Sequence, residues 1–489
     1  MSLRVSNTLT GETEPFEPRD PDSVLLYYCG LTVSDLPHLG HARAWVHVDV
    51  MHRWLSWLGY DVRHVENFTD VNEKIVARVG EVGENEAGVA HEMIDRTLTA
   101  MRSLNLLRAE VYPRVSEHVP EIVDLIERLV ERGYAYESNG SVYFDVTAFE
   151  EYGKLSNQEI EEMESRGEET GEKRHPADFA LWKAGGVSPE ALAEHREELP
   201  EEPPVGQTWD SPWGEGRPGW HIECSAMSMT HLGESIDLHV GGQDLVFPHH
   251  ENEIAQSEAA TGEQFARYWL HVRLLETDGE KMSSSLGNFF TVEDAVDRFG
   301  VNVLRMFLLS TSYSSRQTYS EAALSEAEDR WERLSRAYER AVDLVDGPDA
   351  RTKVDDGELR ETVESAREAF VAGMNDDFNT REAIAALLSV ASAVNRHADA
   401  TERYDYRGLT RAIETIEEFG GSVLGFTFVG GADGTVELAE ELVGLVVSLR
   451  EEEREAGAYD RADALREDLE RLGVTVEDGV DGPTYRLPE

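Results

Sequence analysis

Near the start of the 489-residue chain, two short apolar runs flank a helix-like stretch, and that order leaves few folds open. Val24-Leu-Leu-Tyr-Tyr28 ends at Cys29-Gly30, the pattern of a buried parallel strand meeting a turn. After Pro37, Ala44, Val48, Met51, Leu55 and Leu58 recur at helical spacing and Gly59 closes the series, which predicts an amphipathic helix. Asp61 to Glu66 reads as a second strand. Strand, helix and strand in this order predict a doubly wound parallel sheet that binds its ligands at the carboxyl ends of its strands.

Further along, residues 120–133 read as a helix, followed by a hairpin (Tyr134–Glu137 and Val142–Asp145) around the Asn139-Gly140 turn. Residues 159–216 are acidic and rich in Gly and Pro, and are expected to form surface loops. Strand and helix signals resume at Trp220–Met229, Ile236–Val240 and from Pro248, completing the sheet. The expected organisation is an α/β catalytic domain (1–119 and 217–317) interrupted by a connective segment (120–216). A helical bundle (318–424), a Gly-rich linker (425–436) and a small C-terminal domain (437–489) follow.

Charge separates this chain from ordinary globular proteins: 97 acidic against 45 basic residues give a formal net charge of −52. With 9 Trp, 16 Tyr and 16 Phe it has aromatics that a disordered acidic chain lacks. Acidic residues spread along every helix, whereas a binding tail would gather them in one block. Such self-repulsion suits a cytoplasm of molar salt, where screening falls to about 3 Å. A protein that binds cations or basic partners is the alternative. No stretch is long and apolar enough to suggest a membrane span, and the chain does not open on a cationic, apolar leader, so a cytoplasmic location is expected.

Three clusters carry chemistry. Cys29 and Cys224, 195 positions apart, are the only cysteines; each could be a buried small hydrophobe or a ligand. In Pro248-His249-His250-Glu251-Asn252-Glu253, a helix would place His249 and Glu253 on one face, able to chelate one ion. Two thiolates, an imidazole and a carboxylate suit zinc, with His250 and His221 as competing ligands or hydrogen-bond partners. In the second cluster, His38-Leu-Gly40-His41 stands at a helix N-terminus, where free amides and two imidazoles could face a phosphate, though such a pair can also be filler. Gly40 would let a flat base approach the backbone. The third, Lys281-Met-Ser-Ser284-Ser-Leu-Gly, is a polar loop with one of only six lysines, suited to a triphosphate or to a solvated turn.

Together the His38–His41 and Lys281–Ser285 segments resemble the ATP signatures of the class I aminoacyl-tRNA synthetases. Tyr28-Cys29-Gly30-Leu-Thr-Val, Asn67-Phe-Thr69-Asp70, Gly219-Trp220-His-Ile-Glu-Cys224 and Phe247-Pro-His249-His-Glu-Asn-Glu253 are similar to the cysteinyl-tRNA synthetase family within that class. The resemblance runs from near residue 6 to the C-terminus. It implies a Rossmann-type catalytic domain and a tRNA-binding helical bundle. It further implies one zinc on Cys29, Cys224, His249 and Glu253 that takes the substrate cysteine by its thiolate, ATP with magnesium, and tRNA(Cys) as partner of a monomer. His38, His41 and Lys281 would act in catalysis; Gly40 and Ser284 would line the ATP site; Thr69 and Trp220 would contact the amino acid. Ser284 stands where the family usually has a second lysine, so Lys281 would carry more of the phosphate contact. A related ligase joining cysteine to an amino sugar would share both signatures but lack the tRNA-binding tail. A zinc-stabilised nucleic-acid-binding protein would leave the ATP signatures without a role.

Overall fold

The computed structural model describes residues 2–160, 172–196, 198–277, 280–281, 290–428, 442–444, 446–450, 453–454, 459–471, 474–479 and 482–486. The chain divides into two compact units, Met1–Phe426 and Thr427–Glu489.

After a short antiparallel pair, Arg4–Asn7 with Glu12–Pro15, the first unit follows the expected pattern: β1 (Ser23–Tyr28), α1 (Leu39–Trp57) and β2 (Asp61–Glu66). Gly59 adopts a left-handed conformation (φ +99°) that ends the helix. The amphipathic expectation for α1 is corrected: Val46, Val48, Val50, Met51, Trp54 and Leu55 are all buried, as are the polar Arg43, His47, Asp49 and His52. Apolar spacing finds one face, but this helix is covered on nearly all sides.

Next come α2 (Glu86–Ser103), α3 (Val119–Glu131) and the hairpin β3 (Ala135–Ser138) and β4 (Ser141–Phe144), with Asn139 and Gly140 both at positive φ, as a two-residue Asn-Gly turn requires. The loop expectation for 159–216 is corrected in part. β5 (Phe179–Ala184) and β6 (Gly216–Pro218) extend the hairpin into an antiparallel sheet in the order β3–β4–β5–β6. Leu181 and Trp182 of β5 join a core with Val142, Phe144 and Ile222. Burial of those two side chains outweighs the polar composition around them.

The sheet then closes through α4 (Trp220–Leu232), β7 (Ile236–Gly242), α5 (Glu251–Thr261) and β8 (Ala266–Val272). Its strands are parallel in the order β8–β7–β1–β2, with Leu26 opposite Leu238 and His64 opposite Leu26. Chain order reverses between β1 and β7, so the crevice at their carboxyl ends, Tyr28 and Gly242, is where a ligand belongs. β9 (Leu275–Thr277), β10 (Glu280–Lys281), α6 (Val301–Leu309) and β11 (Gln317–Tyr319) follow.

The unit is completed by α7 (Glu321–Asp346), α8 (Gly357–Asn375), α9 (Thr380–Ala400) and α10 (Tyr406–Thr415), which runs on into a π-helical stretch, Ile416–Val423. Their seam with the sheet layer is held by buried Arg305, which donates to Asp49 Oδ2 at 2.6 Å and to the carbonyls of Leu104 and Leu424 at 2.9 Å each. Arg53 bridges the same Asp49 and the Asn105 carbonyl. The second unit contains α11 (Tyr459–Arg471) and the hairpin β12 (Thr475–Gly479) with β13 (Gly482–Arg486). Val447, Leu469 and Val474 are buried together there. Most of the expected 425–436 linker lies outside the described residues.

Candidate active site

At the carboxyl edge of the sheet, Cys29 follows β1 directly and Cys224 projects from α4. His249 lies in the helical turn Val246–His250 that leads into α5, and Glu253 is in the first turn of α5. Their donor atoms all lie within 4.8 Å of one another, and all four residues are buried. The two Sγ atoms are 3.6 Å apart, Cys29 Sγ is 3.4 Å from His249 Nε2, and that nitrogen is 3.2 Å from Glu253 Oε1. A tetrahedral zinc with bonds of about 2.3 Å to sulfur and about 2.0–2.2 Å to nitrogen and oxygen sets these edges at about 3.8, about 3.5 and about 3.4 Å. The four residues therefore fit zinc in donor type, count and spacing.

Their electrostatics call for a cation. The hydrogen bond from Cys29 and desolvation together push the Cys224 thiol well above its ordinary range. Desolvation works against the Glu253 carboxylate, but His239 and His249 hold it down at about 2. Buried sulfur ligands become thiolates only against a positive charge.

Neighbouring rings orient this set. His221 Nδ1 lies 3.0 Å from His249 Nδ1, and His239 Nε2 lies 2.9 Å from Glu253 Oε2. His250 turns its Nδ1 to His271 Nε2 at 2.8 Å, while its Nε2 stays 3.9 Å from Glu253 Oε1. Burial holds His221 and His250 well below the usual imidazole range, so both are neutral. His239, His250 and Glu253 also form a second close group of donor atoms, which shares its carboxylate with the first.

Asn67, just past β2, organises the approach to the crevice. Its Oδ1 accepts from Tyr27 OH and from the Gly30 amide, both at 2.9 Å, and its Nδ2 donates to Thr69 Oγ1 at 3.3 Å. Gly30 must be glycine, because a Cβ there would come within 1.7 Å of the Asn67 carbonyl oxygen. Trp220 packs at a tilt against His249 with centroids 4.4 Å apart and is 37% exposed, forming a wall open to solvent.

The helix start at α1 is built from the second cluster. His38 is the N-cap, its Nδ1 accepting from the Gly40 amide at 3.0 Å, while His41 Nδ1 accepts from the His38 amide at 3.2 Å. The two rings stack with centroids 3.9 Å apart. A Cβ on Gly40 would lie 2.6 Å from the His38 ring. Lys281 is on β10, its backbone paired with Glu276; Ser284 lies outside the described residues. Sequence reading missed the supporting roles of Asn67 and His239. The signal for His239 was a polar residue inside an apolar strand, Ile236-Asp-Leu-His-Val.

Comparison with known proteins agrees with this geometry. Residues 15–329 match the tRNA synthetases class I (C) catalytic domain, residues 369–429 the DALR domain and residues 446–486 the cysteinyl-tRNA ligase anticodon binding domain. A cysteine–tRNA ligase of Haloarcula marismortui is 70% identical, covering 100% of both chains. One of Halobacterium salinarum is 64% identical over 99% of this chain and 100% of its own. One of Thermococcus gammatolerans is 42% identical over 99% of each. A solved structure of Mycobacterium tuberculosis methionyl-tRNA synthetase with methionyl-adenylate shares the fold, at TM-score 0.61 and 16% identity over 82% of this chain and 92% of that one.

Proposed function

The chain belongs to the cysteine–tRNA ligase family of class I tRNA synthetases, and from that premise we propose that it charges tRNA(Cys) through a cysteinyl-adenylate, choosing its amino acid by the thiol. The observation that carries this reading is the set of two thiols, an imidazole and a carboxylate within 4.8 Å at the sheet edge, next to a helix capped by histidines.

In the first step the cysteine carboxylate attacks the α-phosphate of ATP, forming cysteinyl-adenylate and releasing pyrophosphate. His38 and His41 stabilise charge on the phosphate, Gly40 leaves room for the base, and Lys281, with Ser284, holds the departing pyrophosphate; the first-turn amides of α1 are already taken by His38 and the Phe290 carbonyl. Magnesium accompanies the nucleotide. In the second step the terminal ribose hydroxyl of tRNA takes the acyl group and AMP leaves.

Cys29, Cys224, His249 and Glu253 would hold zinc, which when bound supplies a soft acceptor that prefers the substrate's thiolate to serine's hydroxyl. Thr69 and Trp220 contact the amino acid around it. A thiol and a hydroxyl differ too little in size for shape alone to separate them strongly. The DALR and anticodon-binding matches support tRNA as partner. At a net charge of −52, shape and contacts to unpaired bases carry more of that affinity than counterion release.

The test is cysteine-dependent exchange of labelled pyrophosphate into ATP in molar KCl, with cysteine or serine, before and after zinc removal. Exchange with cysteine alone that is lost with the metal is expected. Exchange that survives zinc removal, or equal exchange with serine, overturns the thiol-selecting site. No exchange from folded protein overturns the adenylate.

A further inference from the structure

Two residues past His41, Arg43 points from α1 into the protein and is 0% exposed. Among the described residues it has no ion pair. All five of its N–H groups go to neutral oxygens. Nε donates to the Arg273 carbonyl at 3.0 Å. Nη1 donates to the Leu308 carbonyl at 3.2 Å and to Gln317 Oε1. Nη2 donates to the Ser312 and Ser315 carbonyls at 2.9 and 2.7 Å. Burial lowers its pKa only to about 10, so the group remains a cation at neutral pH. A buried charge without a counter-charge is costly, and a fork of five donors is the geometry that can gather several chain segments at one point.

Those segments matter because of where they lead. Arg273 lies in the two-residue link between β8 and β9, and β9 pairs antiparallel with β10 (Glu276 opposite Lys281) and parallel with β11 (Leu275 opposite Gln317). Leu308, Ser312 and Ser315 form the end of α6 and the turn entering β11. Arg43 thus ties the helix carrying His41 to the strand pair that carries Lys281. A second tie lies at the helix start, where Leu39 N donates to the Phe290 carbonyl at 3.3 Å and Val292 N to the Pro37 carbonyl at 3.0 Å.

We propose that Arg43 is a positioning residue for adenylate formation, setting the spacing between the α1 histidines and Lys281 so that both act on one triphosphate. This rests on the reading of His38, His41 and Lys281 as ATP contacts. Groups that act on charge developing in the transition state lose their effect when displaced by an ångström, and the loss falls on turnover more than on binding of the other substrate.

The experiment compares full-length wild type, Arg43→Lys and Gln317→Ala in pyrophosphate exchange in molar KCl, varying ATP and cysteine separately, with bound zinc and thermal melting measured alongside. Arg43→Lys keeps the charge but loses the fork. It is expected to drop kcat by about 100-fold with the KM for cysteine within about twofold and zinc retained. Gln317→Ala removes one acceptor and is expected to lose about 3–10-fold in kcat with the same pattern. A folded Arg43→Lys protein with wild-type kcat, or one whose loss appears as a raised KM for cysteine and missing zinc, overturns the proposal. If Arg43→Lys does not fold, wild-type kcat in Gln317→Ala overturns it. If wild type performs no exchange with cysteine, the ATP-site reading itself fails and the positioning role falls with it.

Discussion

The Nδ1 atoms of His221 and His249 lie 3.0 Å apart, so one ring donates to the other. With zinc on its Nε2, His249 would keep its proton on Nδ1 and donate it to His221 Nδ1, which burial keeps neutral and able to accept. A partner of this kind fixes both the tautomer and the tilt of a metal-ligating imidazole. His221→Ala is therefore expected to weaken zinc binding by about 10–100-fold while all four donor residues remain. Competition against a graded chelator measures this, and unchanged affinity would remove His221 from the site's support.

Acid stability has an identifiable source at Glu73. Desolvation raises its carboxyl, but Lys183 Nζ at 2.6 Å and Arg217 Nη2 at 2.9 Å bring it down to about 2. Because the folded value lies below the unfolded one, the stabilisation is present above about pH 4.5 and is lost as pH falls through about 2. Glu73→Gln is expected to cost about 2 kcal/mol at pH 7, discounted for the partly exposed lysine, with the gap to wild type closing toward pH 2. Urea melts at several pH values read this directly.

Glu66 behaves in the opposite sense. Burial pushes its carboxyl up to about 8, and the 2.9 Å hydrogen bond from Trp45 Nε1 pulls it back only in part. It is therefore protonated in the folded protein at neutral pH, and stability falls as pH rises from about 4.5 through about 8. Glu66→Gln keeps an oxygen for the indole and removes that slope. The variant is expected to gain about 2 kcal/mol over wild type at pH 8.5 and to match it near pH 5. Parallel denaturant titrations at the two pH values check it.

Removing Asp49 strips the buried guanidinium of Arg305 of its carboxylate, 2.6 Å away, and Arg53 of its own. Asp49→Ala is expected to cost about 3–5 kcal/mol, because an uncompensated buried charge remains. A drop in Tm well beyond that of an exposed control such as Glu92→Ala is the readout.

What could be read from sequence was whatever a single element encodes. β1, α1 and β2 were legible because apolar runs, helical spacing and Gly59 sit within a few residues of one another. The burial of α1 on its polar side was not, since it depends on α6, some 250 residues later. β5 was hidden because Phe179–Ala184 has no clean alternation and exists by pairing with β4, as Phe144 opposite Phe179 shows. At the candidate site, the i, i+4 relation of His249 and Glu253 was visible locally. That spacing also favoured His249 over His221 and His250, which were expected to serve in hydrogen bonding; which ring nitrogen each would turn to its partner was not legible, because the partners lie on other elements. Asn67 joins Tyr27, Gly30 and Thr69 only once β1 and β2 lie side by side, and no spacing in the sequence encodes that meeting.

Arg305 also decides how small a working piece of this protein can be made. The parallel sheet ends at Val272, and β11 at Tyr319 looks like a natural place to cut. Yet Arg305 needs the Leu424 carbonyl, and Asn105 Nδ2 donates to the Gly425 carbonyl at 2.8 Å. Gly425 itself, at φ +70°, is passable only without a side chain, because a Cβ would lie 2.3 Å from the guanidinium. A cut at Tyr319 would leave Arg305 and Asn105 without these carbonyls, so a fragment that keeps this interior closed is expected to run through Phe426, where the first compact unit ends.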